Sequence, residues 1–106
     1  MGPRRRRVEW SERAVEALDE VLAYVAQDSP HAAEHLLSRL LGAAESLREL
    51  TERGRIVPEL ADPSIRELIV PPYRILYEHG HEHVRVLALL HDAQAFRLRR
   101  SDLLDT

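Results

Sequence analysis

Histidine and arginine carry most of the chemistry this chain could do. There are six histidines, and every one of the fifteen Lys/Arg positions is arginine. His31-Ala32-Ala33-Glu34-His35 fits the H-x-x-E-H pattern of inverzincins, with both imidazoles on one helix face at i and i+4. Zinc catalysis also needs a third protein ligand and an enclosing cleft. Here the motif opens a helix in a chain far too small for that fold, so coincidence is the better reading. His79, His81 and His83 alternate around Gly80. Such a tract chelates a metal only if the turn gathers it, and more often marks an exposed hairpin end. No metal and no cofactor is expected. The block Arg4–Arg7 has two readings, a solvated tail or an arm that contacts phosphates.

The elements that must position these residues are bounded first by length. A chain of 106 residues buries roughly two-thirds of its extended surface on folding, enough for one core between two layers. One domain over 1–106 is expected, with 1–7 as a basic tail and 92–106 as a C-terminal segment. An apolar fraction of 44% and a charged fraction of 31% are ordinary for a globular protein. A net charge of −3 does not suit a general nucleic-acid binder. No apolar run is long enough to span a bilayer. Val8-Glu9-Trp10 stands where a secretory signal would have its apolar core. A cytoplasmic protein without a membrane partner is the simplest reading. Cysteine is absent, so neither disulfides nor cysteine-ligated zinc contributes. The further absence of asparagine fits a thermophile or a GC-rich genome.

Period-two alternation in Arg6–Trp10 reads as a short strand. Ser11 then offers a capping oxygen to a helix beginning at Glu12, with Ala14, Leu18, Val21, Leu22 and Val25 as its apolar stripe. Ser29-Pro30 repeats the signal, because proline at the first helical position gives up an N–H that had no partner anyway. The second stripe runs from Ala33 to Leu47, with Gly54 read as the stop. A short connector makes the two helices near-antiparallel neighbours. After Pro63 the period changes. Residues 65–70, 73–78 and 84–91 are rich in β-branched and aromatic types and are joined tightly, which predicts an antiparallel meander. A helix hairpin and a sheet with one apolar face bury against each other, giving a two-layer α+β sandwich.

The order strand, helix, Ser-Pro-capped helix, Gly54-Arg55-Ile56-Val57-Pro58-Glu59-Leu60, Ile65-Arg66-Glu67-Leu68, Pro72-Tyr73-Arg74-Ile75-Leu76-Tyr77 and Leu90-His91 resembles the ParE branch of the RelE/ParE toxins. The likeness runs from about Val8 to His91. It implies a small toxin held inactive by a cognate antitoxin, with operator DNA reached only through that antitoxin. RelE-like members cleave mRNA on the ribosome without a metal, whereas ParE-like members trap DNA gyrase. Fold alone does not separate the two.

Metal-free RNA cleavage needs groups that activate the 2′-hydroxyl, protonate the leaving oxygen and stabilise the scissile phosphate. Arg74 matches an arginine that RelE-type nucleases set on the phosphate, a task suited to a planar guanidinium. His91 and Arg66 complete the candidate catalytic set. If the hairpin pairs Glu78 with His83, then Arg74, Leu76 and Glu78 share an open face with Arg85, Leu87, Leu89 and His91. Tyr73, Ile75, Tyr77, Val84, Val86 and Ala88 then meet the helices. Arg74 and His91 would lie on the order of 10 Å or more apart along the strands. The bland readings are a strand arginine paired with Glu67 or Glu78, and a histidine tied to backbone. The nuclease pattern also implies a basic residue just after the last strand and a tyrosine near the C-terminus. This chain has Asp92-Ala93-Gln94-Ala95 there, and no tyrosine after Tyr77. A gyrase inhibitor without catalytic residues is therefore expected, with ribosome-dependent mRNA cleavage or a non-toxic binding module as alternatives. The antitoxin should use a sheet edge and the helix groove, with an acidic first helix beside an arginine-rich sheet giving electrostatic contrast.

Overall fold

A computed structural model describes residues 5–92. The elements are β1 (Arg7–Trp10), α1 (Glu12–Asp28), α2 (Pro30–Ser46), β2 (Arg55–Ile56), β3 (Ile65–Val70), β4 (Tyr73–His79) and β5 (His83–His91). They form two helices on one five-stranded sheet of order β1-β5-β4-β3-β2. The sheet is mixed, because β1 lies parallel to β5 while every other pair is antiparallel. The N-terminal strand thus extends the meander as an edge strand. A parallel neighbour needs a long crossover, and here α1, α2 and β2 to β4 all lie between the two strands in sequence.

Both predicted caps form. Ser11 Oγ accepts from the Ala14 N–H at 3.1 Å, and Ser29 Oγ accepts from the Ala32 N–H at 3.1 Å. Ser11 is buried, and its hydroxyl also donates to the Leu87 carbonyl at 3.3 Å, tying the start of α1 to β5. The second helix ends at Ser46 and not at Gly54. Leu47 caps it, and the chain turns so that Leu47 still enters the core. Gly54 serves close approach instead: a Cβ there would stand 2.5 Å from the Glu67 carbonyl and 2.7 Å from the Tyr77 hydroxyl.

Between helices and sheet lies the main core, built on Ala14, Leu36, Leu40, Leu47, Ile75, Tyr77, Val84 and Val86. The opposite face is not open. Val57 covers a second small core of Ile65, Leu76, Leu87 and Ala88, with Leu60 and Leu90 packed against it. The expected hairpin register is also corrected. Glu78 pairs with Arg85, His79 with Val84, and the Gly80 N–H donates to the His83 carbonyl. Leu76 pairs with Ala88 but Tyr77 pairs with Val86, so β5 carries one extra residue at Leu87. Such a bulge reverses the side-chain parity beyond it. Ala88 therefore joins the outer core, whereas Leu89 faces the helices.

Candidate functional site

The sheet register assembles a charged cluster around Arg74. Arg55 on β2 is directly opposite Glu67 on β3, and Glu67 is opposite Leu76 on β4. Arg74, two residues before Leu76, shares that face as a diagonal neighbour within reach of a long side chain. Glu67 is only 1% exposed, yet it accepts from Arg55 Nε and from Arg74 Nη1. Burying a carboxylate alone is costly, and two guanidiniums make it tolerable. Arg74 Nε donates to Asp92 Oδ1 at 2.9 Å, Nη1 is 3.1 Å from Glu67 Oε2, and Glu59 lies 4.0 Å away. The bond to Asp92 is the main reason the Arg74 pKa lies above the ordinary guanidinium value; partial burial opposes the shift and Glu67 adds to it.

The three candidate residues from the sequence do not converge. Arg74 pairs in register with Leu90, one residue from His91, so the strands bring the two closer than expected. They nevertheless point to opposite faces. His91 pairs with Tyr73, their rings meeting edge to face at 5.6 Å on the helix side. Arg66 is opposite Tyr77, also on the helix side, and its Nη1 donates to the Gly54 carbonyl at 2.8 Å. Arg74 is left among carboxylates, with Glu67 as one of the partners foreseen for it and Glu78 not among those found.

The sequence marks Tyr77 only as a core residue, but its hydroxyl pins the turn before β2. It donates to the Thr51 carbonyl at 2.7 Å and accepts from the Gly54 N–H at 2.9 Å. Burial raises its pKa, against the lowering effect of the Gly54 bond. A cavity of about 600 Å³ lies away from Arg74, lined by Arg6, Thr51, Arg53 and His79 among others. There Arg6 is tied down, its Nε donating to the Gly80 carbonyl. His31, Glu34 and His35 lie exposed on α2. No group of three or more His, Asp or Glu side chains among the described residues is placed to hold a metal ion. No described helix is long and apolar enough to cross a membrane. The expected C-terminal segment beyond Asp92 and the arginine at position 4 lie outside the described residues.

Two stretches of sheet edge remain without a partner strand among the described residues. β1 pairs with β5 only as far as Val86, and β2 pairs with β3 only at Arg66 and Glu67. Residues 88–90 therefore border a groove against α1 at Ala17 and Val21, and residues 68–70 border one against α2 at Arg39 and Gly42.

This arrangement has close counterparts. The family profile described as "ParE toxin of type II toxin-antitoxin system, parDE" matches residues 8–96. Toxin RelE2 of Caulobacter vibrioides is 41% identical over 88 residues, covering 82% of this chain and 96% of that protein. Putative toxin Y4kP of Sinorhizobium fredii is 36% identical, covering 85% and 92%. Among solved structures, a chain of the chromosomal ParDE system from P. aeruginosa superposes with a TM-score of 0.67 at 18% identity, covering 81% of this chain and 95% of that one. A chain of the RelBE2 toxin–antitoxin complex from Mycobacterium tuberculosis gives 0.58 at 18% identity, covering 83% and 92%. At such identities the structural likeness concerns the fold. The sequence matches go further and extend across the strands and helices just described: the chain belongs to the ParE toxin family of type II toxin–antitoxin systems, within the RelE/ParE superfamily.

Proposed function

We propose that this toxin acts by binding its target, DNA gyrase, and not by cleaving RNA. The observation that carries this reading is the state of Arg74. Its Nε and Nη1 are engaged by Asp92 and Glu67, and Glu59 stands 4.0 Å off. A phosphate brought to this guanidinium would meet each carboxylate at a repulsion of roughly 1–4 kcal/mol at 4 Å, depending on local polarity. No general acid or base from the candidate set reaches the same face, and acid–base catalysis requires hydrogen-bond reach. Gyrase is the target that the ParE resemblance implies. Purified toxin added to gyrase and relaxed plasmid should abolish supercoiling and accumulate cleaved DNA. Unchanged supercoiling at concentrations that arrest growth overturns the proposal.

The toxin is neutralised by a cognate antitoxin, whose extended segment adds to an unpaired sheet edge and whose helix fills the adjoining groove. Operator DNA is contacted through that antitoxin. Amide exchange in the co-expressed complex should show new protection at residues 68–70 or 88–90. A second reading, ribosome-dependent cleavage through Arg74 with His91 or Arg66, draws on the 41% identical relative that carries the RelE name. Codon-positioned cuts in primer extension, lost in Arg74→Ala, would favour it.

A further inference from the structure

We propose that Asp92 is a built-in anion that occupies Arg74 and closes this toxin to the phosphates of RNA. The inference rests on the reading of the toxin as one that does not cleave RNA, and gives that reading a cause at one residue. Asp92 follows directly on β5, and its backbone N–H donates to the Pro72 carbonyl at 3.0 Å. The carboxylate is thus delivered to Arg74 by the sheet itself. Its position differs from that of Glu67. Glu67 is buried at 1% exposure and shared with Arg55, so it belongs to the framework of the sheet. The Asp92 side chain is 47% exposed and takes the Nε of a guanidinium that is itself 19% exposed. It takes a guanidinium donor that an anion arriving from solvent would otherwise use.

Charge and competition both favour the internal ligand. Arg55 and Arg74 face Glu59, Glu67 and Asp92, so two positive charges meet three negative ones and the cluster carries −1. Removing the Asp92 charge makes the cluster neutral and leaves Nε facing at most a neutral, weaker acceptor. A tethered ligand also acts at an effective concentration of roughly millimolar or more. A weakly bound phosphate group does not displace it.

The test compares wild-type toxin, Asp92→Asn and the double variant Asp92→Asn/Arg74→Gln, by fluorescence anisotropy with a labelled single-stranded RNA heptamer at low salt. Asp92→Asn should bind about tenfold tighter than wild type, the lower end of what one charge-assisted hydrogen bond contributes. The double variant should lose that gain. No gain in Asp92→Asn overturns the proposal, and so does a gain that persists in the double variant, whose net charge equals that of wild type, because the gain would then not run through the Arg74 guanidinium. A measurement on unmodified toxin guards against misfolded variants. When inorganic phosphate is titrated, the ¹⁵N-edited Arg74 Nε–H resonance should stay fixed while those of exposed arginines move. A shift of Arg74 Nε–H in step with them also overturns the proposal. None of these readouts involves gyrase, so a negative supercoiling assay and a negative RNA assay remain distinguishable.

Discussion

Glu67 and Tyr77 are two polar side chains held almost wholly inside the fold. The Glu67 carboxylate has two arginine partners of unequal exposure, 19% for the Arg74 side chain and 59% for that of Arg55. Arg74→Ala strips the less exposed cation from the buried Glu67 carboxylate and should therefore cost about 3 kcal/mol, the magnitude typical of leaving a buried charge without its partner. Arg55→Ala should cost less than about 1 kcal/mol, because its charge is already solvated. Urea unfolding of both variants checks this; equal losses would show that the Glu67 charge is not held as described. For Tyr77, Tyr77→Phe leaves the Gly54 N–H and the Thr51 carbonyl without their partner, at a cost of about 1–3 kcal/mol. Burial raises the Tyr77 pKa from the ordinary phenol value of 10.0, so the folded state holds this proton more tightly than the unfolded chain. That contribution to stability is complete below pH 10 and is lost as pH rises through the folded-state pKa. The wild-type urea midpoint should thus fall more steeply above pH 10 than that of Tyr77→Phe, and parallel curves would contradict the assignment.

At the scale of elements, the two N-caps look alike in sequence but differ in what surrounds them. Ser29 Oγ receives one N–H at an exposed connection between helices, so Ser29→Ala should cost about 1 kcal/mol. Ser11 Oγ receives one N–H and also donates to the Leu87 carbonyl beside the bulge, in a buried position. Ser11→Ala leaves both groups unpaired and should cost about 2 kcal/mol. Thermal or urea unfolding should rank Ser11→Ala as the more damaging, and the opposite order would mean that Ser11 does not bridge α1 to β5. The bulge is the element that decides where functional residues point. The extra residue at Leu87 lets the hydrophobic alternation of β5 change face, so Leu87 and Ala88 both enter the outer core.

Over the whole molecule, stability is expected to be graded from the centre of the sheet outwards. β4 is paired on both sides, and Ile75, Leu76 and Tyr77 are fully buried between the two cores. β2 is a two-residue edge strand. Native-state hydrogen exchange should therefore be slowest at residues 75–77, with β2 amides exchanging at least about 100-fold faster. Comparable rates would mean that the outer core does not hold the second face. The same gradient leaves the stretches at 68–70 and 88–90 as ready templates for a partner strand.

Much of this was legible in the chain because it depends on near neighbours. A capping hydroxyl acts three residues away, and helix and strand periods are written into consecutive positions, so α1, α2 and β3 to β5 could be read in order with their caps. Family membership was legible for the same reason, through short motifs in a fixed order. The site was not. β2 has only Arg55 and Ile56 and no period to detect, and it exists because β3 offers it an edge. One part was anticipated, the pairing of Arg74 with Glu67. Which further cation would neutralise Glu67, and whether Arg74 and His91 would share a face, depended on one bulged residue in β5 and on groups 7, 12 and 18 residues apart in sequence. Local pattern sets the kind of element, because its hydrogen bonds close within a few residues. Only the packed sheet decides which charges meet, because a buried carboxylate accepts whatever cation the register brings to it.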